Sequence, residues 1–191
     1  MEYTMEYVIK YKQMNTKLTI VTPCSRQENL VKVFDSIQFD KIDKWIIVYD
    51  TKKKSFTKMF DNPQIVEDFC NSPGISGNAQ RNYGASLVQD GLIYFLDDDN
   101  IVHPNFWNLT FQENNFYTFD QDRKSHILYG NKIALNNIDT AQFVVPKSMF
   151  VGWDINRYDA DGIFIVEVNS KNKDKHVYIN TNAAYYNYLR R

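Results

Sequence analysis

The sequence predicts an α/β protein built on a mostly parallel central sheet, and three observations lead there. Short β-branched or apolar runs alternate with amphipathic helical stretches through roughly the first hundred residues. One run, Leu92 to Leu96, is apolar throughout, as suits a central strand covered on both faces. Polar clusters follow directly on the runs, at Pro23 to Arg26, at Asp50 and at Asp97 to Asn100. In parallel sheets, ligands bind beyond the carboxyl ends of the strands.

Taken in order, residues 1 to 16 are polar and weakly patterned, and read as a loose arm or a short preliminary strand. Leu18 to Thr22 is a β-branched strand stopped by Pro23. Ser25, with Glu28 three residues on, has the capping-box pattern, and Leu30, Val33, Phe34 and Ile37 then share one helical face. Trp45 to Tyr49 is a second strand ending on Asp50, while Gln64 to Cys70 fits either a strand or a helical turn. After the turn-rich Asn71 to Gly77, Asn78 is placed to cap a helix carrying Ala79, Tyr83 and Leu87, with Gly91 as its stop. Pro104 starts a short helix with Phe106 and Trp107. His126 to Ala134, Gln142 to Val145 and Val177 to Asn180 read as strands, and Ile163 to Val168 as strand or helix. There is no internal repeat.

Composition narrows the function classes. The chain has 191 residues, 43% hydrophobic and 24% charged, which suits one globular domain. A net charge of −1 gives no general attraction to nucleic acid or anionic membranes, and Lys52-Lys53-Lys54 reads as a solvated loop. Two cysteines, Cys24 and Cys70, are too few for a disulfide scaffold and read as reduced thiols, with one disulfide left open. No apolar run reaches the roughly 18–20 residues of a membrane span, and Met1-Glu2-Tyr3 does not open a signal peptide, so a cytoplasmic protein without a membrane span is expected. Aromatic residues make up 15% of the chain, enough to build a core or to line a sugar-binding cleft.

The acidic triplet carries the chemistry. Adjacent carboxylates repel, and more so in a partly buried cleft, unless a cation joins them. Alternate side chains leaving a strand point the same way, so Asp97 and Asp99 can share a site while Asp98 points elsewhere. Two converging oxygen donors suit a hard divalent ion such as Mg2+ or Mn2+, which would neutralise a diphosphate leaving group. A solvated acidic turn is the competing reading. An EF-hand is unlike this loop, which lacks the alternate spacing, central glycine and final glutamate.

Gly77-Asn78-Ala79-Gln80-Arg81-Asn82, then a helix, then Tyr94-Phe95-Leu96-Asp97-Asp98-Asp99-Asn100 resembles the donor-site core of GT-A glycosyltransferases. The Gln-Arg-Asn and Asp-Asp-Asp-Asn pair is similar to the inverting glucuronyltransferases, and Thr22-Pro23-Cys24-Ser25-Arg26 to the opening of family 2 enzymes. The resemblance implies a Rossmann-like sheet with a donor half over about residues 18–107 and a smaller mixed acceptor half over 108–191. It implies a UDP-sugar donor, a glycan or other hydroxyl acceptor, and Mn2+ or Mg2+. Asp99 is then the metal ligand, Asp97 contacts ribose or sugar, and Asp98 contacts sugar hydroxyls or supports them from behind. Asp50 accepts from the base N–H, Thr22, Pro23 and Arg26 line the base pocket, and Arg81 sits near base or diphosphate, where a guanidinium offers a forked donor. Asp50 as a turn cap and Arg81 as an exposed helix residue are the plain alternatives.

On the acceptor side, Trp153-Asp154 and Arg157 to Gly162 resemble the segment that holds the acceptor-site acid. Asp161 is the expected base and Asp159 the second choice, although the family more often has Glu-Asp where this chain has Ala160-Asp161. Trp153 is either a sugar-stacking platform or a loop anchor. His176 is the candidate to complete a metal shell, set against a plain surface histidine. The competing functions are a nucleotidyltransferase, disfavoured because Thr22 to Asn29 has no glycine, and a glycan- or nucleotide-binding module without catalysis. The chain is short for this fold, which leads to the expectation of a domain from a longer polypeptide.

Overall fold

A computed structural model describes residues 16–52 and 54–190. The expectations for residues 1 to 15 and for Lys53 lie outside the described residues. Among the described residues nine strands form one sheet: β1 (Leu18–Cys24), β2 (Lys44–Asp50), β3 (Ile65–Cys70), β4 (Leu92–Phe95), β5 (Ile101–Val102), β6 (Phe116–Asp122), β7 (Ile127–Leu128), β8 (Phe143–Pro146) and β9 (His176–Tyr185). Their order is β3-β2-β1-β4-β8-β6-β9-β5, with β7 paired to β6. The first four pair in parallel, β8 runs against both β4 and β6, and β9 returns parallel to β6. Three α-helices accompany them: α1 (Leu30–Asp35), α2 (Asn78–Ser86) and α3 (Ala160–Lys171).

The alternation of side chains along the strands builds a core on each face. Ile20, Trp45, Ile47 and Tyr94 join α1 and Phe106 on one side. Val21, Ile46, Val48, Ile93 and Phe95 join Phe143, Trp153 and Phe164 on the other. Both faces are buried because helices or the loops of the second half cover each, and so β4 reads as an unbroken apolar run. Each fully buried side chain of this size stabilises the fold by about 1.5–3 kcal/mol before entropy is counted. Helix α2 lies flush on the sheet at Gly84, where a Cβ would sit 2.5 Å from Val21 Cγ1.

Several local expectations give way to tertiary contacts. Gln64 to Cys70 resolves as strand β3, and Ile163 to Val168 as part of helix α3. Only Ile127–Leu128 of the His126 to Ala134 stretch pairs as a strand. The Ser25 capping box does not form, because the Ser25 hydroxyl bonds Asp98 at 3.2 Å, and a 3-10 turn (Gln27–Asn29) precedes α1 instead. Asn78 is not a cap either. Gly77, at φ 78°, precedes the helix, and the Asn78 amide donates to Asp154 O and Arg157 O at 2.9 and 2.8 Å. That bond pair carries the acceptor-side loop to the start of α2. Both cysteines are buried and free. Among the described residues no helix is long and apolar enough to cross a membrane.

Candidate active site

The carboxyl ends of β1, β2 and β4 open into a cleft of about 670 Å³, whose far wall is built by the second half of the chain. Seven aspartates line it against four arginines. Such a surplus of negative charge in a partly buried space is unfavourable unless cations join it.

Asp98 sits at the bottom, 1% exposed. One oxygen accepts the backbone N–H groups of Ser25 and Arg26, both at 2.7 Å, and the other accepts Arg26 Nε at 2.9 Å and pairs with Arg26 Nη2. The carboxylate is thus engaged by the chain itself. It fixes the loop after β1 and aims Arg26, and has no oxygen left over as a sugar-hydroxyl acceptor. Arg26 Nη2 also lies 2.9 Å from Asp99 Oδ2. Burial, then Asp97, push the Asp99 carboxyl up to about 6, with Arg26 opposing and Asp98 adding to the rise. Asp97 pairs with Arg81, which is buried on α2 and donates further to Ser76 O at 2.6 Å and Asn78 Oδ1 at 3.0 Å. Arg81 is therefore a committed cleft residue rather than an exposed helix position.

The remaining expected residues are placed unequally. Pro23 and Asp50 line the cleft, Asp50 also accepting Lys52 N at 3.2 Å as a turn cap. Thr22 does not reach it. Its side chain points into the core, where Oγ1 accepts Trp45 Nε1 at 2.9 Å, because alternation along β1 sends residue 22 to the side opposite the cleft-lining Pro23. Trp153 lines the cleft but is 4% exposed, stacked on Phe164 at 4.8 Å with the Arg81 guanidinium 4.8 Å from its ring. Its ring is engaged by the protein on these sides, so it is the loop anchor of the two readings. His176 is remote. It opens β9 opposite Phe116, at the end of the strand away from the cleft, and stacks on that ring at 5.0 Å. Its Nε2 lies 2.8 Å from Thr118 Oγ1, which itself donates to Gly130 O, so Nε2 carries the proton. As a metal ligand at the aspartates it is excluded by this position.

The far wall brings Asp161 and Asp159 to the cleft at the start of α3. Burial raises the Asp161 carboxyl, while the Gly162 N–H at 2.7 Å and Arg81 pull it back. Asp159 is held below its ordinary value by a two-point pair with Arg157, both contacts at 2.9 Å. Among the lining residues that the sequence does not mark as a site are Arg123, Asp139, Tyr186 and Arg190. Asp139 pairs with Arg123 at 2.6 Å, and its carboxyl is pushed up to about 7 by burial, then by Asp97 and Asp161. Its one sequence signal, Asp139 with Gln142, is a capping box that does form, but a cap says nothing of a cleft. Arg190 follows a segment tied to the triplet by Leu189 N to Asp99 O at 3.0 Å and Asn187 N to Asn100 Oδ1 at 2.8 Å. Burial pushes the Cys24 thiol up, so the one cysteine in the lining offers no thiolate nucleophile.

Among the described residues, no group of three His, Cys, Asp or Glu side chains is arranged to hold a metal ion. A divalent ion that binds together with a phosphorylated substrate needs only one or two protein carboxylates. Asp99 Oδ1 and Asp97 Oδ2 accept no hydrogen bond from another described side chain. Together with the excess of aspartates, that donor set fits such an ion.

A parallel sheet with an acidic cluster leaving one of its strands, backed by an antiparallel second half, is a mixed α/β architecture consistent with the Rossmann-like GT-A fold. No family model and no curated protein matches the chain. Among solved structures, residues 1–349 of S. aureus TarS superpose with a TM-score of 0.62 at 9% identity, over 88% of this chain and 60% of that one. The same TarS segment in complex with UDP-GlcNAc gives 0.63 at 8%, covering 58% of that chain. Glucosyl-3-phosphoglycerate synthase from Mycobacterium tuberculosis, in complex with Mn2+, UDP and glucosyl-3-phosphoglycerate, gives 0.57 at 12%, over 88% of this chain and 71% of that one. At these identities the likeness is one of fold. The chain spans about 60% of the length of the TarS 1–349 chain.

Proposed function

We propose that this protein is a glycosyltransferase that moves a sugar from a UDP-sugar to a hydroxyl acceptor by direct displacement, with a divalent metal ion and with inversion. One observation carries the reading: Asp97, Asp99, Arg26 and Arg81 meet at the carboxyl end of the sheet, with Asp161 facing them in the same cleft. Three of the solved structures of like fold hold UDP or UDP-GlcNAc, which supports a UDP-sugar donor here.

In this reading Asp50 accepts from the N–H of the base while Pro23 packs against its face. Arg26, Arg81 and Arg190 bring positive charge to the diphosphate side of the cleft, Arg26 and Arg81 held in place by their aspartate pairs, and guanidinium forks suit phosphate oxygens. A magnesium or manganese ion held by Asp99, with Asp97 beside it, would neutralise the diphosphate and stabilise it as a leaving group. Asp161 takes the proton of the acceptor hydroxyl as its oxygen bonds the anomeric carbon, and the bond to the diphosphate oxygen breaks with its electron pair leaving on UDP. The acceptor oxygen enters opposite the leaving group, so configuration inverts. A raised carboxyl is the better base, and burial raises Asp161. Asp159 is the poorer candidate because Arg157 stabilises its ionised form.

Calorimetric titration with UDP and GDP, with and without Mn2+, tests the donor site. The expected result is metal-dependent binding of UDP that Asp99→Ala removes. Failure of either nucleotide to bind with Mn2+ present would overturn the reading.

A further inference from the structure

The far wall of the cleft holds a second constellation that donor binding does not use. Tyr158 is 85% exposed, the most exposed of the large apolar side chains described, yet it lines the cleft. Its backbone is not loose. Asn78 holds Asp154 O and Arg157 O, Ile75 N bonds Ile155 O at 2.9 Å, and Asp159 is clamped by Arg157. A pinned backbone with the ring left in the cleft makes a platform. Tyr186 shares this neighbourhood: its phenol is raised by burial, then by Asp139, with a smaller contribution from Tyr158.

Beside the platform stands the Arg123–Asp139 pair. The guanidinium lies 4.1 Å from the Tyr186 ring centroid, donates from Nε to Gln121 Oε1 at 3.1 Å, and reaches Asp139 Oδ2 at 2.6 Å. Asp139 Oδ1 accepts Thr140 N at 2.7 Å and the carboxylate also takes the Gln142 N–H of the capping box, so beyond Arg123 about one of its roughly four lone pairs stays open to a ligand. With Asp139 ionised, the pair presents an acceptor and a donor side by side with no net charge. Both cations of this wall are taken, Arg123 by Asp139 and Arg157 by Asp159, while Asp161 adds a negative charge. Arg190 belongs to the opposite side, following the segment tied to Asp99. An anionic acceptor would meet the uncompensated Asp161 carboxylate here.

We propose that this wall is a subsite for an uncharged pyranose: Tyr158 packs on a C–H face of the ring, and Arg123 and Asp139 bracket neighbouring hydroxyls. The subsite places a hydroxyl of the acceptor toward Asp161. It rests on the transferase reading for its role as acceptor site, and adds the acceptor's chemical class, a neutral glycoside rather than a sugar phosphate.

Saturation-transfer NMR with the methyl pyranosides of glucose, galactose, mannose and N-acetylglucosamine, each beside its 6-phosphate, tests it on the whole chain, with UDP titrated in parallel. The expected result is transfer to at least one methyl pyranoside, weaker transfer to its 6-phosphate, and a loss of about fivefold in affinity in Tyr158→Ala that Tyr158→Phe restores. UDP affinity is expected to be the same in both variants as in the native chain. The proposal is overturned if no methyl pyranoside binds, if the 6-phosphates bind more tightly, or if Tyr158→Ala binds as the native chain does. Pyranoside binding with no UDP binding would retain the subsite and remove the transferase reading, so the two fail separately.

Discussion

The two walls of the cleft hold comparable numbers of charged groups and use them in opposite ways. On the donor wall, Asp98 and Arg81 are 1% and 4% exposed and their polar atoms are bonded mainly to the chain. On the far wall, Tyr158 is 85% exposed and the Arg157–Asp159 pair lies at the surface. Burial with satisfied hydrogen bonds preorganises a site, because no rearrangement is needed when a ligand arrives. An exposed wall on a pinned backbone leaves its side chains open to a ligand. The contrast teaches that a diphosphate, common to many donors, can be met by the buried wall, while acceptor choice resides in the exposed one.

The sharpest way to break this comparison is Asp98→Ala. Five contacts to Ser25 and Arg26 disappear at once. We expect a stability loss of about 2–3 kcal/mol in urea unfolding, discounted for the part of Arg26 that solvent screens, together with loss of UDP binding by calorimetry. Intact UDP binding would mean that the loop after β1 is held by something other than Asp98. Next in size, Asp161→Asn is expected to lower turnover by roughly 10²–10⁴-fold in a radiolabelled-sugar transfer assay, with UDP affinity unchanged. A variant as active as the native chain would move the base elsewhere.

An effect of another kind should appear with pH on the far wall. The Asp139 carboxyl rises from its ordinary 3.8 to about 7 because burial disfavours its charged form. A group raised in the folded state contributes stability that is complete below its unfolded value and lost as pH rises through its folded value. Stability should therefore decline between about pH 4 and about pH 7, and Asp139→Asn should flatten that decline in urea unfolding followed across the range. An equal decline in the variant would assign it to another group. The smallest effect is expected from Arg157→Ala, since the Arg157–Asp159 pair is exposed and screened. Its melting temperature should match that of the native chain, and a clear drop would show the surface pair to be structural.

Much of the donor wall was legible because its parts are local. A parallel strand, the loop after it and the next helix keep a motif within a few residues of the strand end, so the order of the motifs and their resemblance to the GT-A donor core together point to Pro23, Arg26, Asp50, Arg81 and Asp97 to Asp99, all of which line the cleft. The errors there came from direction. Thr22 sits one residue before a lining residue, and alternation sends it into the core to Trp45. Of the two readings of Asp98, contact with sugar hydroxyls or support from behind, the backbone N–H groups of Ser25 and Arg26 that turn it inward favour the second. Ser25 carried a cap signature, but the Asp98 carboxylate competes for its hydroxyl.

The sequence by itself determined the α/β class, the parallel order of the first strands and the acidic cluster at their ends, because period-two alternation and apolar strands are consequences of neighbouring residues. Only the tertiary structure decided which distant residues meet those aspartates. Arg123, Asp139 and Arg190 reach the cleft through the pairing of β6 with β8 and β9 and the return of the segment after β9 to Asp99. His176 is carried away by the same pairing, which sets it opposite Phe116 at the far end of β9. Contacts between residues that far apart in the chain depend on strand register and burial, and no local pattern encodes them.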